Sequence, residues 1–134
     1  NTPGILKALA GMHHIFTPII ADRVVMESTL IFTQLLRDVI MKKGETSIET
    51  INLFWNQVDG RESTPLYDVY NQLIGQLGLS LMQSQIKNST RFRKESEADS
   101  KTVFRSTLMP PDERLMKACQ LDLFISEFLN IIQS

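Results

Sequence analysis

Cysteine occurs once, at Cys119, so no intrachain disulfide can form. That excludes a small secreted scaffold held by disulfides; a lone thiol in an apolar setting reads as a core residue in a reducing compartment. The only histidines are the adjacent His13 and His14. On a helix they would point about 100° apart, and no second Cys or third His completes a site, so no metal is expected. No apolar run reaches the roughly 18 residues of a membrane span. The N-terminus has neither an initiating Met nor the long apolar core of a signal peptide. The expected setting is intracellular, cytoplasm or nucleus and not secreted, with the chain a fragment of a larger protein. Asn88-Ser89-Thr90 matches a glycosylation acceptor, but nothing else in the chain suggests secretion.

Catalytic signatures are equally scarce. The chain lacks a phosphate loop, a Gly-x-Gly-x-x-Gly run, a Gly-x-Ser-x-Gly elbow and a His-Glu-x-x-His helix. Its acids are scattered singly, with no evident carboxylate pair for acid–base work. No catalytic residue, no cofactor and no enzymatic activity are expected. Lys and Arg total 14 against 15 Asp and Glu, a net charge of −1, which argues against a chain basic throughout and against an acidic tail.

What the chain does have is apolar residues: 42 of its 134 positions are Leu, Ile, Val or Phe, enough to exclude wholesale disorder. Their spacing reads as helical. Ile5, Leu6, Leu9, Met12 and Phe16 follow i, i+3/i+4, i+7, and Pro18 ends that segment. A second helix is expected from the Asp22 cap to Lys43, with Lys42 and Lys43 favouring its C-terminal dipole and Gly44 as the stop. Its apolar stripe is wider than one face, so it is contacted on two sides, as the central helix or against a partner. Thr46-Ser47-Ile48-Glu49 reads as a capping box opening a third helix through Ile48, Ile51, Phe54 or Trp55, and Val58, ended by Asp59-Gly60. Ser63-Thr64-Pro65 opens a fourth, running from Leu66 to Leu81, with Gly75 and Gly78 marking a close helix crossing. A charged loop at about 88–107 follows, and Pro110-Pro111-Asp112-Glu113 opens the last helix, whose stripe includes Leu115, Cys119, Ile125, Phe128, Leu129 and Ile132.

No strand is evident, so the expected fold class is all-α. The leading architecture is a compact five- to six-helix bundle forming a single domain over 1–134. A shift of 42 residues superposes Leu6 on Ile48, Leu9 on Ile51, Val24 on Leu66 and Ile31 on Leu73, which leaves stacked helical hairpins of the HEAT or armadillo kind as the alternative.

Two functions compete. The first is a non-catalytic helical scaffold that binds a partner helix or peptide, or forms a homodimer, through a broad apolar face. Phe54 and Trp55, about 100° apart on a helix, cannot share one core line, which leaves one of them as a surface anchor. With Leu36, Ile40, Leu121 and Phe124 they are the candidate partner-binding residues. The second is a nucleic-acid-binding domain of a viral or chromatin-associated assembly. Residues 87–107 carry six basic and three acidic side chains. Lys87, Arg91, Phe92, Arg93, Lys94, Lys101 and Arg105 would grip phosphate and stack on bases, and Ser96 is a candidate phosphate acceptor. No membrane partner is expected.

Overall fold

In the computed structural model the described residues are 2–41, 44, 46–59, 64–89 and 113–134. The all-α expectation is overturned. A three-stranded sheet in the order β1-β2-β3 lies at the centre, with β1 at His14–Ile19, β2 at Thr50–Trp55 and β3 at Ser80–Leu81. All pairings are parallel, with Ile15 beside Ile51, Ile19 beside Trp55, and Leu53 beside Leu81. Helix α1 (Thr2–Ala10) precedes the sheet; α2 (Arg23–Leu35) and α3 (Thr64–Gln76) make the two crossovers. Helices α4 (Glu113–Ala118) and α5 (Leu121–Gln133) close the chain. Neither a helical bundle nor a hairpin array describes this arrangement. In the 42-residue echo the end of α1 falls on the start of β2, a helix on a strand.

Strand periodicity explains what helical spacing misread. Neighbouring residues on a strand point to opposite faces, and parallel strands are buried on both, so they carry continuous apolar runs without alternation. On one face Ile19, Leu53 and Trp55 join Met26 and Leu30 of α2 and Ile74 of α3 in the main core. On the other, Phe16 meets Phe128 with ring centroids 4.4 Å apart and Phe54 meets Phe124 at 4.7 Å, so α5 covers that side. Phe54 and Trp55 are therefore both buried, on opposite faces, and neither is a surface anchor. Trp55 also donates its indole N–H to Asn71 Oδ1 at 2.7 Å and meets the edge of Tyr67. Pro18 does not end a helix: it lies within β1, an edge strand, where a missing N–H is tolerated.

The helix signals fared differently. Asp22 caps α2, its carboxylate accepting from Val25 N at 3.0 Å. The helix runs on as a π-helical segment, Leu36–Met41, and Gly44 beyond it has φ +70°. Thr64-Pro65 opens α3, but that helix stops at Gln76 and not at Leu81. Leu79 N donates to Ile74 O and Gly78 N to Gly75 O, the paired reverse bonds of a glycine helix stop, with Gly78 at φ +69°. Arg37, in the π segment, donates to Leu77 O at 2.6 Å and so takes up a carbonyl at that stop. Thr46-Ser47-Ile48-Glu49 opens no helix: Thr46 Oγ1 accepts from Ile48 N and donates to Ala10 O, building a turn that leads into β2. The last helix is broken in two at Cys119-Gln120, where Gln120 has φ 59° and Cys119 O accepts from Lys87 N. Cys119 is buried with Leu115 and Leu121 in a second core.

Gly75, within α3, and Gly78, just beyond it, play different parts. A Cβ at Gly75 meets nothing within 4 Å, so no close helix crossing requires it, whereas Gly78 has a positive φ and Arg37 Nη1 at 3.4 Å. Gly78→Ala should cost about 1 kcal/mol or more, because the left-handed conformation penalises a side chain. Gly75→Ala should leave stability unchanged or raise it by up to about 1 kcal/mol. Urea unfolding of the two variants checks the opposite signs.

Candidate functional site

Most residues first picked out for partner binding are internal. Leu36, Phe54, Trp55 and Leu121 are buried, and Phe124 is half-buried against Phe54. Trp55 belongs to the main core and Leu121 to the second, while Phe54 and Phe124 pack on each other between the sheet and α5. The side chain of Ile40 lies outside the described residues, as do Arg91, Phe92, Arg93, Lys94, Ser96, Lys101 and Arg105. Lys87 is exposed, and its backbone pairs with Cys119 O and bridges Val58, which fixes the start of that segment at the sheet's β3 side.

A polar network binds β1 to β2 on the face covered by α5. Asn52, buried, donates Nδ2–H to Thr50 Oγ1 at 2.9 Å and to Ile15 O at 3.3 Å. Thr50 Oγ1 in turn lies 2.7 Å from His14 Nδ1, and Glu49 lies 3.7 Å from His14 Nε2. Such a chain satisfies buried polar groups, and no buried side-chain N or O among the described residues lacks a partner. A cleft of about 210 Å³ adjoins it at the amino ends of β2 and β3, lined by Arg37, Glu49, Thr50, Asn52, Gly78 and Ser80 among others. Among the described residues no group of three or more His, Cys, Asp or Glu could hold a metal ion.

At the opposite, carboxyl end of the strands, two successive backbone amides converge on one carboxylate. Glu127 of α5 accepts from Gln83 N at 2.9 Å, from Ser84 N at 2.7 Å and from the Ser84 hydroxyl at 2.6 Å. Partial burial alone would push its carboxyl up, but the bonds from Ser84 and Gln83 outweigh it and hold the group below its ordinary value. Backbone amides arranged this way form an anion-binding concavity, filled here by the protein's own side chain.

The outer surface carries a different feature. On α2, Val24, Ile31 and Leu35 recur at i, i+7 and i+11, and Val24 and Ile31 are 72% and 66% exposed. Helical spacing sets them on the side opposite Met26, Leu30 and Thr33, which are buried toward the sheet. The two-sided helix expected from the sequence is thus present, with one side filled and the other open. On α3, Leu66, Val69 and Leu73 form a similar exposed stripe, Val69 at 61%. The echo at 42 residues pairs Val24 with Leu66 and Ile31 with Leu73, so it aligns the outward stripes of two helices on one face of the sheet. None of these six is among the binding residues expected from the sequence, although the apolar stripe of α2, wider than one face, was the available signal.

Comparison of the chain with protein-family models, with characterised proteins and with solved structures gives no significant match. No helix among the described residues is long and apolar enough to cross a membrane.

The Glu127 contact has a defined pH signature. A carboxyl held low in the folded state adds stability above its unfolded value, and that stability is lost as pH falls through the folded value. Glu127→Gln should lower stability at neutral pH by about 1 kcal/mol, a charged hydrogen bond discounted for solvent exposure. The difference between wild type and variant should shrink on acidification below the ordinary carboxylate range. Urea midpoints at neutral and acidic pH measure it.

Proposed function

We propose that the domain is a non-catalytic protein–protein interaction module whose outward α2 and α3 faces receive an apolar helix of a partner. The supporting observation is the pair of stripes Val24, Ile31, Leu35 and Leu66, Val69, Leu73, the first opposite the core-facing side of α2 and the second flanking that of α3. Monomeric surfaces rarely carry contiguous apolar patches of this kind without a use. Covering six such side chains is worth on the order of 10 kcal/mol of gross transfer free energy. Association costs roughly 4–15 kcal/mol, so a well-shaped partner helix binds with moderate affinity and a poorly shaped one does not bind. The helical-bundle setting is gone, but the mechanism of helix-on-helix docking does not need it.

A second reading has its own observation. Open parallel sheets take ligands outside the carboxyl ends of their strands. Asp22, Asn56 and the Gln83–Ser84 amides follow β1, β2 and β3 at that end, and the last already hold a carboxylate. On this reading the domain holds a small anionic ligand there. Nucleic-acid binding through residues 87–105 stays a third proposal, carried by charge alone, since of its residues Lys87 is the described one.

The interaction reading is tested with the double variant Val24→Asp/Ile31→Asp. Exposed substitutions of this kind should change stability by less than about 0.5 kcal/mol. Capture of partners from lysate and the mass from size-exclusion light scattering should both be compared with wild type. Partners retained by wild type and lost by the folded variant are the expected result. A concentration-dependent dimer abolished by the variant would make the partner a second copy. A wild type and variant that are both monomeric and capture the same proteins would remove the proposal.

A further inference from the structure

The two edges of the sheet are managed differently. β3 has two residues, and the chain after it continues irregularly alongside β2, with Met82 N donating to Leu53 O and Ile86 N to Trp55 O. β1 has six residues, the full length of β2, yet none of His14 to Pro18 is fully buried, whereas β2 is buried from Asn52 to Trp55. The difference is a missing neighbour.

The backbone fixes which groups are free. Thr50 N donates to His13 O and Asn56 N to Ile19 O, so the odd-numbered residues of β1 turn their backbone toward β2. By alternation, His14 and Phe16 present N–H and C=O outward, and Pro18 presents a C=O. These five groups have no partner among the described residues. An edge of this length and apolarity is a template for another strand.

We infer that the outer edge of β1 is a strand-addition site, and that its occupant is an extended, apolar, parallel strand of different sequence. Two features select that occupant over a second copy of β1. Two copies related by a two-fold axis pair antiparallel, whereas both pairings of this sheet are parallel and a parallel newcomer continues them. Antiparallel self-pairing of the outward residues also leaves one of the five groups unmade: His14 O when centred on Phe16, or Pro18 O when shifted by one pair. A separate strand engages all five. Its side chains alternate between the α2 and α5 faces, where Ile15 and Thr17 on one side and Phe16 on the other are half-covered. This inference does not depend on the α2 and α3 stripes.

The test uses the synthetic peptide Thr-Val-Thr-Val-Thr-Val-Thr with a nitroxide at its N-terminus, titrated into the isotope-labelled chain. Hydrogen exchange at the His14 and Phe16 amides should slow by about tenfold or more on saturation. The label should broaden signals near His14 and spare those near Ile19, as parallel pairing requires. Val24→Asp/Ile31→Asp should respond equally, which separates this site from the helix-docking surface. A peptide with alternate N-methylation should have no effect. The inference fails if no amide of β1 is protected, if the N-methylated peptide protects equally, or if broadening falls at Ile19. It fails also if the same amides are protected without peptide in a light-scattering dimer, which assigns the edge to a second copy.

Discussion

The parallel pairing of β1 with β2 is the constraint on which the remaining structure depends. Parallel neighbours cannot be joined by a tight turn, so the chain must leave the carboxyl end of β1, cross the sheet and return. Helix α2 and its π-helical continuation, Leu36–Met41, make that journey, and α3 repeats it from β2 to β3. Both crossover helices contribute to the core containing Leu53 and Trp55, which leaves the face bearing Phe16 and Phe54 to be covered by α5 through Phe128 and Phe124. The same pairing brings His14 to Thr50 and Ile15 O to the Asn52 amide, so these two cross-strand bonds depend on this register. Register, crossover and layer order are one decision made at β1 and β2.

Helix ends were legible in the sequence because their signals are local. Asp22 before α2 acts through a bond to an amide three residues on, and α3 opens at Thr64-Pro65, where proline has its φ already set for a helix start. Strands were illegible because their signal is not local. Ile48, Ile51, Phe54 and Val58 recur at three and four residues, so a two-sided strand with its flanks imitates one face of a helix. Thr46-Ser47-Ile48-Glu49 carries the chemistry of a cap, but Thr46 uses it to bond Ala10 O across the chain and not to start a helix. Gly78 was read as a packing residue within a helix; its positive φ makes it the stop, which shortens α3 and frees Ser80 and Leu81 to pair with β2.

The surface was legible in kind and misplaced in position. The excess apolar width of the second helix is present as two opposed stripes. Candidate interface residues chosen for size, such as Trp55 and Phe54, fell in the cores because a sheet gives adjacent aromatics two separate interiors. The exposed stripe of α2 consists of Val24, Ile31 and Leu35, one side of the wide apolar stripe, while Leu36 from the same stripe is buried. The Glu127 contact with Gln83 and Ser84 spans more than forty positions and had no sequence signature at all.

Backbone amide exchange along β1 in the isolated chain tests the central claim most directly. The account predicts alternation: Ile15, Thr17 and Ile19 amides, turned toward β2, exchange slowly, while those of His14 and Phe16, on the open edge, exchange fast. In a chain that light scattering shows to be monomeric, uniform protection through these residues, or the graded protection of a helix extending from 5 to 16, would contradict the parallel sheet and everything built on it.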